Sequence, residues 1–199
     1  MPPPDVRSAA DQEIVALARE GAEYAYRELI RRYERPVFSL IYRMVRDRET
    51  AEDLAQETFI KVLNAIASYR PEFKFSSWVF KIANNTAIDH LRRRELDTLS
   101  LDGSPHATTS EGIEATTLQV SGDEESPLQA VEALELGTEI EAAINQLRPE
   151  YRSCILLRHV EGRAYEEIAE MLDLPLGTVK TYIHRARNEL RLTLQHLRE

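Results

Sequence analysis

At 199 residues the chain has room for one ordinary domain or two small ones, and 43% hydrophobic residues give it enough apolar side chains for a core. Its single cysteine excludes an internal disulfide framework, and no stretch approaches the roughly 18 consecutive apolar residues of a membrane span. The formal net charge of −9, from 34 acidic and 25 basic side chains, argues at first sight against nucleic acid as a partner. Location changes that reading. Residues 1–95 carry 16 basic and 15 acidic groups, and residues 136–199 carry 9 and 10. The segment between has no Lys or Arg and nine carboxylates: Asp97, Asp102, Glu111, Glu114, Asp123, Glu124, Glu125, Glu132 and Glu135. The two ends are therefore near neutral, and basic groups can cluster on chosen faces. The opening "MPPPDVRS" lacks the features of a signal peptide, so a reducing, cytoplasmic setting is expected, with no membrane insertion.

In chain order, the apolar periods are helical. Ser8 or Asp11 is expected to cap a short helix that ends at Gly21. Tyr26, Leu29, Tyr33, Val37, Leu40 and Met44 recur at helical steps as one stripe, with a kink expected at Pro36. "RETAEDLAQETFIKVLNAIASY" follows, with Thr50 as N-cap and Ala55, Phe59, Val62, Ile66 and Tyr69 as its apolar seam. "RPEFKF" breaks the period, and a further helix is expected from Ser76 to Arg94. Residues 96–134, rich in Ser, Thr, Gly and acid, have no sustained period and exceed an ordinary loop, so they are read as an acidic flexible linker between domains at 1–95 and 135–199. Beyond it, Ile140, Ile144 and Leu147 mark one helix, and Pro149 opens another that Gly162 closes. Two more are expected, over 165–172 and 176–194. No alternating strand pattern of any length occurs. The expected class is all-α: two small helical domains joined by a long acidic linker.

Three faces carry chemistry. In "AYEEIAEMLDLPLGTVKTYIHRARNEL" a short helix, a tight break and a longer helix succeed one another. Ile168, Leu172, Leu174 and Val179 fill the elbow, while Val179, Ile183, Ala186 and Leu190 form the inward face of the second helix. Lys180, Thr181, His184, Arg185, Arg187 and Arg191 lie outside that face, as a helix-turn-helix needs for bonding base edges and phosphates. In "YRPEFKFSSWVFKIANNTAIDHLRRR", Val79, Phe80, Ala83, Ala87 and Leu91 fill one arc. Trp78, Lys81, Asn85, Ile88 and Arg92 line the other, where cations suit a backbone and flat or apolar groups suit unstacked bases. The aromatic loop before it (Tyr69, Phe73, Phe75) is a candidate receptacle for a flipped base, and plain core is the competing role for Trp78. On the third face Asp53, Gln56, Glu57 and Ile60 project from the preceding helix, which suits either a basic, grooved protein partner or solvent.

In this order these motifs resemble the bacterial RNA polymerase sigma factors of the extracytoplasmic-function group, within the sigma-70 superfamily. "AEDLAQETFIKV", "FSSWVFKIANNTAIDHLRRR" and "GRAYEEIAEMLDLPLGTVKTYIHRAR" are similar to that family's polymerase-binding helix, −10 reader and −35 reader. The resemblance implies a transcription initiation factor. Asp53, Gln56, Glu57 and Ile60 would grip the clamp helices of the largest polymerase subunit, and the C-terminal domain would touch the flap of the second-largest. Trp78, Lys81, Asn85, Ile88 and Arg92 would read and open the −10 element, while Lys180, Thr181, His184 and Arg185 would read the −35 element of promoter DNA. An anti-sigma factor is the implied controlling partner. Asp173 departs from the family by occupying an elbow where glycine is common, and Tyr182 and His184 fall where promoter choice varies, so no −35 sequence carries over.

No phosphate-binding glycine loop, catalytic triad or metal-ligand cluster is apparent, so no catalysis, metal or cofactor is expected. Cys154 and His159 are five residues apart on an apolar helix with no further ligand nearby, and Asp53, Glu57 and Asp89 do not obviously converge. The main rival reading is a free-standing helix-turn-helix activator or repressor acting as a dimer. A relaxed coil of about 30 residues averages roughly 30 Å end to end, whereas DNA sites two helical turns apart lie about 70 Å from each other. The linker is therefore expected to be held stretched by polymerase, its carboxylates in a basic channel.

Overall fold

The computed structural model describes the backbone of residues 6–101 and 127–195 and the side chains of residues 6–96 and 136–195. Among them the regular elements are helices: α1 (Asp11–Arg19), α2 (Glu23–Val45), α3 (Arg48–Ala65), a 3-10 turn (Ile66–Ser68), α4 (Phe75–Leu101), α5 (Pro127–Gln146), α6 (Pro149–His159), α7 (Tyr165–Leu172) and α8 (Leu176–Thr193). The chain is all-α, as expected. Helix enters the expected linker from both sides, through Leu101 and from Pro127, and the remainder of that linker lies outside the described residues.

In the first four helices most of the expected stripes are buried, with Tyr26, Tyr33, Phe59 and Leu91 half-buried at their edges, but two helix starts differ from expectation. The residue before α1 is Ala10, with no side-chain cap, while Asp11 turns inward. Its carboxylate accepts from Arg32 Nη1 at 2.8 Å and from the Tyr33 hydroxyl. Arg32 also donates to the carbonyls of Val6, Arg7 and Ala9, so one guanidinium ties the N-terminal segment to α2. The second difference is at α3. Asp47, not Thr50, caps this helix, accepting from the Thr50 amide at 2.8 Å. Helix α2 is continuous through Pro36, and Leu29, Val37, Leu40 and Met44 on its stripe are buried. It ends at Arg46, which adopts a left-handed conformation (φ +60°). Gly21, at φ +87°, makes the turn between α1 and α2 without a Cβ clash.

Glu28 is buried on α2 beside two cations. It takes a bidentate contact from Arg31 (2.8 and 2.7 Å) and a further bond from Arg32 Nε (2.9 Å). Those bonds hold its carboxyl down at about 2, against the smaller opposing effect of desolvation.

The last four helices share one core with the first four. Helix α6 packs on α8 and α7 from its own half, and on α2 and α4 from the other. Seven consecutive residues of α6, Tyr151 to Leu157, are buried as a result. A helix buried all round has no solvent face, and its polar residues need partners in the interior. Arg152 meets that need with main-chain carbonyls: Met44 at the end of α2, Asn145, and Leu147 at 3.2 Å. Burial pulls its pKa down, the charge of Arg46 adds to this and that of Glu95 opposes it, and among the described residues its bonds go to carbonyls. Beside it Ser153 donates to the sulfur of Met44 at 3.6 Å. Cys154 is fully buried and burial pushes its thiol up to about 12, the state of a small hydrophobe rather than a nucleophile.

Two measurements follow from these contacts. Arg152→Ala leaves buried carbonyls without their donor and should lower stability by about 3 kcal/mol in a urea melt. Glu28 has a depressed pKa in the folded chain, so its contribution is present above pH 4.5 and is lost as pH falls towards 2. Glu28→Gln should flatten the fall of the urea midpoint across that window.

Candidate nucleic-acid interface

The C-terminal helix pair has a fixed elbow. Helix α7 ends with Asp173 in the left-handed region at φ +56° and ψ +44°. Leu174 N–H bonds the Ala169 carbonyl at 3.0 Å and Asp173 N–H bonds that of Glu170 at 3.4 Å, the paired bonds of a Schellman stop. Aspartate tolerates this conformation better than most side chains but less readily than glycine. At the other end of α7, Glu167 accepts from the Ala164 amide at 3.0 Å. Pro175 then precedes α8, whose Val179, Ile183 and Ala186 are buried against α6 and α7. Lys180, Thr181, His184 and Arg185 are exposed on the far side. The row is lightly braced, with Thr181 donating to the Gly177 carbonyl at 2.8 Å and Arg185 to the Tyr151 hydroxyl at 3.3 Å. It presents cationic and hydroxyl donors on a rigid rod, which suits a groove.

Helix α4 carries the second expected surface, and its two arcs separate as the periodicity indicates. Val79, Phe80, Ala83 and Ala87 are buried; Asn85 and Arg92 are exposed; Trp78, Lys81 and Ile88 are half-buried. The aromatic loop is a correction. Tyr69 and Phe75 are each 3% exposed and belong to the core, so they cannot receive a base. Phe75 meets Tyr33 and Tyr69 edge-on at 5.5 and 5.3 Å, and the Tyr69 hydroxyl bonds the Phe73 carbonyl at 2.6 Å. Trp78 leans on both rings at 5.4 and 5.6 Å, so it is half core and half surface rather than the exposed ring expected. Of the three loop aromatics only Phe73, at 47% exposure, remains available.

On the outer side of α3, Asp53, Gln56, Glu57 and Ile60 are all exposed, with Ile60 at 59%. Glu57 pairs with Lys61 one turn on at 2.7 Å. An apolar side chain ringed by acid on a rigid helix fits a partner that is cationic around a small groove. Among the described residues no group of three or more His, Cys, Asp or Glu could hold a metal ion, and no helix is long and apolar enough to cross a membrane.

The structure also joins residues that sequence patterning did not single out together. Lys74 Nζ meets Glu167 at 2.6 Å, Lys81 Nζ meets Asp173 at 3.3 Å, and Arg92 meets Glu150 at 2.8 Å. Arg43 and Arg46 both reach Glu141 of α5, at 3.5 and 2.6 Å. Arg163 lies over the Phe80 ring at 5.0 Å. Glu150 and Glu167 read in sequence as ordinary acid in a helix first turn, which is why nothing marked them. The apolar run Cys154 to Leu157 on α6, longer than one helix face needs, was the available signal that a second body packs against it.

Comparison with known proteins gives the same division of the chain. Family models for Sigma-70 region 2 and Sigma-70 region 4 match residues 29–96 and 137–190. The chain is 37% identical over 179 residues to the ECF RNA polymerase sigma factor SigW of Bacillus subtilis, covering 90% of this chain and 94% of that one. It is 35% identical to the RNA polymerase sigma-H factor of Pseudomonas aeruginosa (94% and 95% covered) and 32% identical to the ECF RNA polymerase sigma-E factor of Escherichia coli (94% and 95%). The fold is shared with CnrH, solved with the cytosolic domain of CnrY (TM-score 0.65, 21% identity, 94% of this chain and 99% of that one). It is shared too with the sigma factor RpoE of Bartonella quintana, solved with the anti-sigma factor NepR (TM-score 0.61, 23% identity, 85% and 96%). This chain belongs to the sigma-70 superfamily as one of its ECF RNA polymerase sigma factors, and it acts in transcription initiation.

Proposed function

We propose that the chain joins core RNA polymerase through Asp53, Gln56, Glu57 and Ile60 on α3, which dock on the clamp helices of the largest subunit. The second half, residues 135–199, touches the flap of the second-largest subunit and sets α8 in the major groove of the −35 element. There Lys180, Thr181, His184 and Arg185 bond bases and phosphates. The first half, residues 1–95, lays the α4 face on the −10 element: Lys81 and Arg92 hold the backbone, Trp78 and Ile88 cover unstacked bases, and Asn85 bonds a base edge. The chain works by binding alone, in the cytoplasm, without a cofactor.

The observation that carries this reading is the exposed donor row on α8, fixed to a core by its opposite face and set at a Schellman elbow. Three faces on one chain, each matched to a different surface of a promoter complex, fit an initiation factor better than a dimeric repressor. An anti-sigma partner is part of the proposal, since the sigma factor RpoE, of the same fold, was solved with the anti-sigma factor NepR.

The test is a pull-down with core polymerase followed by run-off transcription on promoters selected from random DNA. Transcripts that start at one element pair are expected; a symmetric footprint without polymerase would show a free-standing regulator instead. Asn85→Ala should reduce strand opening by about tenfold in permanganate footprints, with affinity for polymerase unchanged. Lys180→Ala should weaken holoenzyme binding to all promoters alike and lower the slope of log affinity against log salt by about one.

A further inference from the structure

Arg19 is the last residue of α1, an exposed cation on a short helix. Its guanidinium donates to three main-chain carbonyls: Nε to Ile66 at 3.1 Å, and Nη2 to Ala67 at 3.2 Å and also to Tyr69. These oxygens follow the end of α3, in the 3-10 turn and just beyond it, where helix geometry leaves acceptors without donors and favours a cation. The planar fork of arginine supplies donors in fixed directions, which suits oxygens spread over one turn. Gln12, earlier on α1, adds a bond from Nε2 to the Pro71 carbonyl at 3.1 Å. The clamp reaches Trp78 through Tyr69. The guanidinium lies over the Tyr69 ring, 5.9 Å from its centroid, and the same ring supports Trp78 at 5.4 Å. Trp78 N–H bonds the Lys74 carbonyl at 3.2 Å, so the clamped loop runs directly into the indole it supports.

We propose that Arg19 is a positioning residue for strand opening. By fixing the carbonyls of Ile66, Ala67 and Tyr69 it sets the Tyr69 ring, and through that ring the angle at which Trp78 meets an unstacked base. This rests on the reading of α4 as the −10 face, and it adds a residue from ahead of the residues 29–96 that match region 2. An indole that is half core and half surface needs such a seat. Stacking on a base presses the ring back on its support, and a support locked by hydrogen bonds yields less than a free loop. All of these contacts lie within the first half of the chain, so none depends on the second.

Trp78 is the sole tryptophan of the sequence, so its fluorescence reports this site alone. In the full chain Arg19→Ala should shift Trp78 emission to the red and raise its quenching by acrylamide. In the holoenzyme the same variant should reduce permanganate-detected opening about fivefold, on the scale of one lost charge-assisted bond, with affinity for core polymerase unchanged. Arg19→Lys keeps the charge but not the fork, and should fall between alanine and the parent in both readouts. Asp47→Ala is the control for lost stability alone. It removes the N-cap at the opposite end of α3, and should lower the urea midpoint while leaving the indole signal and promoter opening as in the parent. An equal loss of opening in that control, or an Arg19→Ala protein that keeps the parent's indole signal or its opening, overturns the proposal. A Trp78→Ala holoenzyme that opens promoters as well as the parent would instead defeat the α4 reading on which it rests.

Discussion

The carbonyl groups at the end of α2 need donors, and Arg152 supplies one from a helix 108 residues further along the chain. This contact ties α6 to α2 and decides how the two halves meet. With Arg152 seated against Met44, Ser153 falls on the Met44 sulfur and the residues through Leu157 are enclosed. An uncompensated guanidinium indoors is costly, and the interior tolerates it because its bonds go to carbonyl dipoles that would otherwise lack partners. The buried arginine is thus a price of interlocking two small bodies that each have too little apolar surface to seal α6 alone.

That interlock leaves the binding faces unequal. The α8 row points away from the junction, whereas α4 shares its cationic arc with α6 and α7. Charge follows the same division. The first half presents Arg43, Arg46, Lys74, Lys81 and Arg92 to the second, which answers with Glu141, Glu150, Glu167 and Asp173. A net charge of −9 is compatible with a DNA-binding protein because the acidic excess lies in residues 96–135, which leaves each end near neutral.

Periodicity carried the sequence reading where a helix has one buried side. The elements from Pro149 onward have almost the expected limits, because a proline, a glycine and the Asp173–Pro175 break punctuate them. The buried arc of α4 and the exposed rows of α3 and α8 follow from steps of three and four. Helix starts were harder: Asp11 looked like a cap but is drawn inward by Arg32 and Tyr33, a tertiary competition invisible to local pattern. The loop "YRPEFKF" misled for a related reason. Its aromatic residues suggested a receptacle for a base, while two of them, Tyr69 and Phe75, are anchors in the core. Ion pairs between residues 58 to 98 apart in sequence, from Arg92–Glu150 to Arg43–Glu141, have no periodic signature at all.

Cys154 sits at the sealed centre of this arrangement, with its sulfur shut from solvent and its thiol held protonated. Oxidants act on thiolates they can reach. The sole sulfhydryl of the sequence is thus withdrawn from redox chemistry while α6 stays enclosed. A thiol-oxidising signal that alters this factor's output must be registered by some other molecule and relayed to it through binding.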